Sequence, residues 1–407
     1  MATDLISRTG AVERYSEFLG AMDQWKDELQ IRLAKTFGLT HRPEIKKDKD
    51  GIKHVVQGEP FPDGFLYRRF DTLQQAYVEF SGDANINWWG KNVRVTQVVG
   101  LPSCEQALAN VLNMMLMDDY MPTDYRWRDI VTSITAPRDF RENLRTRLQY
   151  VPDLPILSED DPFLELLPSP SDNSSLGYNV NELGAFVSFT RRVLINDEIG
   201  LIQRAIEQVR RAAWRTLARR VWNLILSDAI YQIDDLPLFH ANHNNVSTSA
   251  LSAAALTSAR NAMFAQKEPG GTDRLGLGKG PLLLSVPIEL EATAMQLNHA
   301  PWLSLNTSGA VGTPTLNEWV HRFGINNENI FANPFQTDTN DWYLFQIGKE
   351  AQIIEVGFLQ GNQAPQIEQS FDYTDQEFLQ DRTVFKIRHE YEAVVLDYRA
   401  CQAAIVA

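Results

Sequence analysis

The chain has 407 residues, 44% of them hydrophobic, and a formal net charge of −14. That length accommodates two or three domains or one elongated multi-lobed subunit, and the apolar content excludes wholesale disorder. The acidic balance argues against bulk binding of nucleic acid through phosphate neutralisation. No run approaches 18 uncharged apolar residues and the N-terminus has no signal-peptide core, so a soluble protein made in a cytosol is expected.

Along the chain, Tyr15, Phe18, Met22, Trp25, Leu29 and Leu33 recur at helical spacing and predict an amphipathic helix over 11–37, closed by Gly38. The charged, Gly- and Pro-dotted stretch 41–64 reads as loop or linker, its lysines interleaved with Glu44, Asp48 and Asp50. Ser103 and Gln106 make a capping box for a second helix carrying Leu108, Val111, Leu112, Met115 and Leu116. The neighbouring methionines, Met114, Met117 and Met121, suit core or subunit contacts. Residues 138–149 read as a polar, arginine-rich strand or bend. The acidic segment 150–177 has five prolines and no basic residue. With residues 178–192, which carry Val180, Leu183, Phe186 and Phe189, it is expected to form a long two-stranded arm. A free hairpin is marginal alone, so such an arm needs a surface to lie on.

The longest helix is expected from about Asp197 to Asp228, capped by Asn196 or Asp197. Ile202, Ile206, Val209, Ala213, Leu217 and Leu224 line one face, while Arg204, Arg211 and Arg215 gather opposite. Lysine is absent between Lys91 and Lys267. Arginine's planar fork suits carboxylate pairing at interfaces, although lineage bias gives the same composition. An acidic arm lying across a neighbour's arginine face would bring Asp153, Glu159, Asp160, Asp161 and Glu165 to Arg204, Arg211 and Arg215. Each exposed pair is worth only about 0–1 kcal/mol, so the charges would set register more than affinity. The alternative is a solvated face with local pairs such as Glu207 with Arg211. Beyond this helix the pattern is α+β. It comprises a helix over 250–267, a Gly-rich loop over 268–281, a buried strand at 282–286, a helix at 288–298, and strands at 342–347 and 352–358. A long half-buried strand from 383 turns near Glu392–Ala393 into another.

Candidate chemistry fails on inspection. His240 and His243 have metal-like spacing, but no cysteine or placed carboxylate completes a zinc set, so a hydrogen-bonded loop is expected. GLGKG (276–280) lacks the P-loop's earlier glycine, where Asp273 stands, and its hydroxyl residue, where Gly280 stands. Cys104 opens a helix, where a thiol pKa can fall, yet nothing identifies a base for it. Cys104 and Cys401 are the only cysteines and fit a reducing compartment without disulfides. Paired carboxylates are abundant in any acidic chain. No enzyme signature, cofactor site or metal site emerges.

The order of PSCEQALANVLNMMLMDDY (102–120), RDFRENLRTRL (138–148), FVSFTRRVLINDEIG (186–200), LFHANHNN (238–245) and HEYEAVVLDYR (389–399) resembles the major capsid proteins of tailed bacteriophages. The likeness is greatest to the Mu-like major head subunit group and covers about residues 70–407. It implies the tailed-phage major capsid fold, with an N-terminal arm, an extended loop, a peripheral domain with a long spine helix, and an axial domain. On this chain these would be an N-terminal extension at 1–70, arm and helix at 71–140, and extended loop at 141–196. The peripheral domain would take 197–239 and 379–407, and the axial domain 240–378. The resemblance also implies pentamers and hexamers of this chain in an icosahedral head, enclosing double-stranded DNA without specific binding. Portal and head-assembly proteins, and a scaffold or decoration protein, would be its other partners. It would assemble in the host cytoplasm and reside in the virion, away from membranes. An encapsulin-type nanocompartment shell shares the fold and is the nearest alternative; a cytosolic enzyme is the more distant one. Because the sequence starts at Met1, residues 1–70 are expected to be retained, with the 11–37 helix along the inner shell or beneath a neighbour.

Some capsids of this fold crosslink a loop lysine to a neighbour's asparagine. Residues 141–196 contain no lysine, so denaturing gels of mature heads should show single-chain mass; covalent ladders would contradict this.

Overall fold

The computed structural model describes residues 27–48, 53–64, 67–81, 104–117, 125–148, 170–190, 192–193, 196, 198–268, 273–303, 306–307, 310–311, 315–348, 352–369 and 382–406. These fall into two compact units. The first draws on residues 1–122, 182–214 and 362–390, the second on 123–181, 215–361 and 391–407. Among the described residues, no helix is long and apolar enough to cross a membrane.

In the first unit, residues 27–36 are helical and bury Leu29 and Leu33; the expected positions from Tyr15 to Trp25 lie outside the described residues. Gly38 closes this helix at φ +86°, a left-handed conformation that glycine adopts without steric cost. Leu39 N–H donates to Ala34 O and Gly38 N–H to Lys35 O, both at 3.1 Å, the paired bonds of a Schellman motif. The stretch expected as linker is instead an antiparallel hairpin of His41–Lys47 with Lys53–Pro60. Charged side chains do not forbid a strand whose residues face solvent, and composition misled here. Gly58 is required within it: a Cβ there would lie 2.4 Å from the Arg42 carbonyl oxygen.

Helices Leu73–Ser81 and Cys104–Met117 complete the core, the second burying Leu108, Val111, Leu112 and Leu116 as its spacing predicts. Against it lies the strand Gln366–Gln369, antiparallel to the first half of the long strand Arg382–Val395. Asn113 sets its amide against the backbone of that short strand, which stands at the edge of its sheet among the described residues. Its Nδ2 donates to Ile367 O at 2.8 Å, and its Oδ1 accepts from Ile367 N–H at 2.6 Å. Asn181–Thr190 also joins the long strand, with Phe189 tilted against Phe385.

The long strand alternates buried Phe385, Ile387 and His389 with Lys386, Arg388 and Glu390. No turn occurs at Glu392–Ala393. The strand runs 14 residues to Val395 and changes partner instead, its last five residues pairing with Ile354–Phe358 in the second unit. Val131–Thr135 extends that sheet in parallel.

The second unit also holds a five-stranded sheet in the order Ile330–Ala332, Leu282–Val286, Trp342–Gln346, Cys401–Ala404, Val246–Ser247. Every residue of its three middle strands is buried, which is why they read as continuous runs without polar alternation. The C-terminal strand Cys401–Ala404 thus pairs with neighbours from 240–378, the segment expected to be axial. Helix Ala253–Phe264 begins at Ser252, whose Oγ accepts from Ala255 N–H, and Ile288–His299 follows the buried strand as expected.

The long helix is Ile199–Leu226, 28 residues. Its expected face is buried at Ile202, Ile206 and Leu217 and partly buried at Val209, Ala213 and Leu224. In the second unit the stripe widens to include Ala218, Val221, Trp222 and Ile225. Trp222 stacks on Phe331 at 5.3 Å and donates its indole N–H to Tyr125 O at 2.8 Å.

His389 donates its Nε2–H to Gln363 O at 2.8 Å, and burial holds the imidazole neutral, its pKa pushed down to about 4. An unfolded histidine takes its proton near pH 6.5, so the unfolded state binds more protons in between and stability falls as pH drops. The drop from 6.5 to about 4 corresponds to about 3 kcal/mol once both states are protonated, of which about 2 kcal/mol is lost by pH 4.5. Urea denaturation at pH 7 and pH 4.5 should show this loss, and His389→Gln should flatten it.

Candidate subunit-interface site

Strands Asn143–Leu148 and Pro170–Tyr178 pair antiparallel as the two sides of a hairpin, in the register Asn143↔Tyr178 and Thr146↔Ser175. The expected arm therefore has a different make-up. The strand Pro170–Tyr178 pairs with the RENLRTRL segment upstream, while Asn181–Thr190 enters the sheet with the long strand. Leu144 in the hairpin is 57% exposed and Phe140 just before it 49% exposed, apolar surface that is stabilised by burial against a partner.

The base of this hairpin is tied to one buried carboxylate. Glu355, in the strand Ile354–Phe358, is 2% exposed. Its Oε1 accepts from Tyr178 Oη at 2.8 Å, from Thr135 Oγ1 at 3.1 Å and from Arg145 Nε at 3.0 Å; Arg145 Nε also lies 3.1 Å from Oε2. Asn143 Nδ2 donates to Tyr178 Oη at 2.9 Å. Burial, opposed by the Thr135 hydrogen bond and reinforced by the Glu355 charge, pushes the phenol up to about 12. Tyr178 therefore stays protonated and donates. A buried carboxylate without partners would cost several kcal/mol, so this cluster is stable only with the hairpin base in place.

Gly357 makes the arrangement possible, and Gly177 lies close beside it in the hairpin. At Gly357 a Cβ would stand 2.4 Å from Tyr178 Oη, and at Gly177 it would collide with the Glu142 carboxylate. Gly177 is held by Gln232, whose Oε1 accepts from Gly177 N–H and whose Nε2 donates to Gly177 O, both at 3.0 Å. Beside it a cavity of about 380 Å³ is lined by Gly177, Tyr178, Asn181, Ile230, Gln232 and Glu392, among others. Glu392 is engaged there: Arg220 donates from Nε at 2.8 Å and from a terminal nitrogen at 2.5 Å, and Asn181 donates to it as well.

Of the residues expected at the interface, Arg204, Arg211 and Arg215 are exposed on the long helix. Arg211 has Glu207 at 3.9 Å, the local pairing weighed as the alternative. Asp153, Glu159, Asp160, Asp161 and Glu165 lie outside the described residues. Tyr178, Arg145 and Glu355 were missed. The one available signal was a single glutamate inside the apolar strand IIEVGF. Among the described residues no group of three metal-ligating side chains comes together. His243 is buried, hydrogen-bonded to Asp234 Oδ2 at 2.7 Å and Leu238 O at 3.0 Å, and stacked on Tyr398 at 3.9 Å. His240 caps the following turn by accepting from Asn242 N–H. GLGKG makes a turn, with Gly276 and Gly278 at positive φ, that leads into the strand at 282–286. The side chain of Cys104 lies outside the described residues.

The long helix, the long strand and the hairpin are elements of an α+β shell subunit of the tailed-phage capsid fold, the class that the family match gives. The chain belongs to the phage capsid protein family, which matches residues 173–404. That match is to the family at large and does not single out the Mu-like group. No curated protein matches the sequence. Solved structures similar to this chain include Gordonia phage Cozz (10% identity, 70% of this chain and 87% of the other, TM-score 0.40). The capsid of cyanophage P-SCSP1u shows 12% identity over 69% of this chain and 88% of the other, with a TM-score of 0.41. The holo-SrpI encapsulin complex of Synechococcus elongatus PCC 7942 shows 10% identity over 69% and 86%, with a TM-score of 0.39. At identities and superpositions this low, the family match alone carries the assignment.

Gly357→Ala should displace Tyr178 and destabilise the fold by about 1–3 kcal/mol, read from denaturant midpoints. Tyr178→Phe, which removes one donor to a buried charge, should cost a similar amount.

Proposed function

We propose that this chain is the major shell subunit of an icosahedral phage head, assembling as pentamers and hexamers around double-stranded DNA. The observation that carries the reading is its membership of the phage capsid family over 173–404. The role is to bind and position copies of itself, without catalysis. Portal and head-assembly proteins, with a scaffold or decoration protein, are its further partners, and assembly takes place in the host cytoplasm. In this reading 141–196 is the extended loop, 197–239 and 379–407 the peripheral domain and 240–378 the axial domain, with the strand 401–404 lent to the sheet of the axial segment. Acidic residues Asp153, Glu159, Asp160, Asp161 and Glu165 of one copy face Arg204, Arg211 and Arg215 of the next. The exposure of those three arginines supports this pairing, and the chain's acidic balance suits a wall that does not hold the genome by phosphate contacts.

Negative-stain microscopy of the expressed chain should show closed shells, and heads purified from phage should have the absorbance ratio of packaged DNA. Particles carrying protein cargo would identify a nanocompartment shell, and a monodisperse monomer would end the capsid reading. The double variant Arg211→Glu, Arg215→Glu should keep its circular dichroism and raise the critical concentration for assembly about tenfold, equivalent to about 1.4 kcal/mol per subunit. Unchanged assembly would remove the arginine face from the interface.

A further inference from the structure

We propose that Glu355 is the positioning residue of the 143–178 hairpin, fixing the angle at which it leaves the sheet. Four strands meet at this carboxylate. Glu355 and Thr135 stand on neighbouring sheet strands, Arg145 on the first hairpin strand and Tyr178 on the second. Tyr178 and Asn143 are direct partners across the hairpin ladder, so the phenol binds the first strand through Asn143 and the sheet through Glu355.

The apolar contacts at the base cannot set a direction by themselves. Val180, Leu359 and Val394 pack with Tyr178, and such packing is non-directional. Hydrogen bonds to an ionised group are short and angle-dependent, and Arg145 approaches both carboxylate oxygens. Leu144, next to Arg145, is exposed, so the aim of the hairpin rests on the polar cluster. Gln232 secures Gly177 but reaches only that residue's backbone. Opening the angle therefore requires removing partners from a carboxylate that water does not reach. The link to assembly rests on the reading that the hairpin meets a neighbouring copy.

Hydrogen exchange on the full-length chain, with shells examined in parallel, tests this. Glu355→Gln keeps an acceptor but loses the charge. It should speed amide exchange in 143–148 and 176–178 about tenfold or more, while the ladder between 354–358 and 391–395 stays slow. Tyr178→Phe should act in the same direction, and Arg145→Lys, with the charge but not the planar fork, should fall between wild type and Glu355→Gln. Shells of Glu355→Gln should be irregular or mixed in size. Unchanged hairpin exchange in both Glu355→Gln and Tyr178→Phe overturns the proposal, as does loss of protection spread evenly over the sheet. Faster hairpin exchange with uniform shells upholds the positioning role and overturns the reading that the hairpin contacts a neighbour. Should Glu355→Gln fail to fold, Tyr178→Phe and Arg145→Lys carry the same comparison.

Discussion

A carboxylate removed from water has to be compensated by the groups that enclose it, and Glu355 sets that requirement for the second unit. Its compensation comes from residues far apart in the chain: Thr135, Arg145 and Tyr178. None of these can leave without stranding charge in a place that solvates it poorly. The sheet strand and the hairpin base are therefore interdependent, and Gly357 follows as the residue that leaves room for Tyr178. An apolar residue at 355 would leave Tyr178 and Arg145 without the acceptor they share. It would not specify where the hairpin goes.

Wherever pattern alone determines structure, the sequence was a sufficient guide. The long helix, the buried strands at 282–286 and 342–346, and the Gly38 termination all follow from local periodicity or local backbone conformation. His243 is hydrogen-bonded as expected, to Leu238 O and to Asp234, a carboxylate that the sequence spacing had not placed beside it. What escaped was set by partners distant in sequence. The pairing of 143–148 with 170–178 depends on chemistry at Glu355, 177 positions beyond Tyr178. The long strand passes straight through Glu392 because Arg220 on the helix and Asn181 receive its carboxylate. A glutamate that looks like a break in an apolar strand becomes part of the strand once its counter-ion arrives. The hairpin at 41–60 escaped for the opposite reason: its strands lie largely in solvent, so no buried periodicity marks them.

The cation inventory fits these demands. At Glu355 and Glu392 the partner is arginine; Arg220 meets Glu392 side-on through two nitrogens, a contact that an ammonium cannot make, while Arg145 shares its Nε–H between both oxygens of Glu355. The absence of lysine from 92–266 thus has a structural correlate beyond composition. Exposed arginines on the long helix belong to the same chemistry, facing outward.

Asn113 has a consequence of another kind. An open strand edge is a template on which any extended chain can crystallise, and a protein made to meet many copies of itself is the one most at risk. The amide of Asn113 occupies both the N–H and the C=O of Ile367 in the middle of the edge strand 366–369. A foreign strand would have to displace it before zippering up. Among the described residues, the side chain of Asn113 thus takes up the hydrogen-bonding pair that a further strand would need at Ile367.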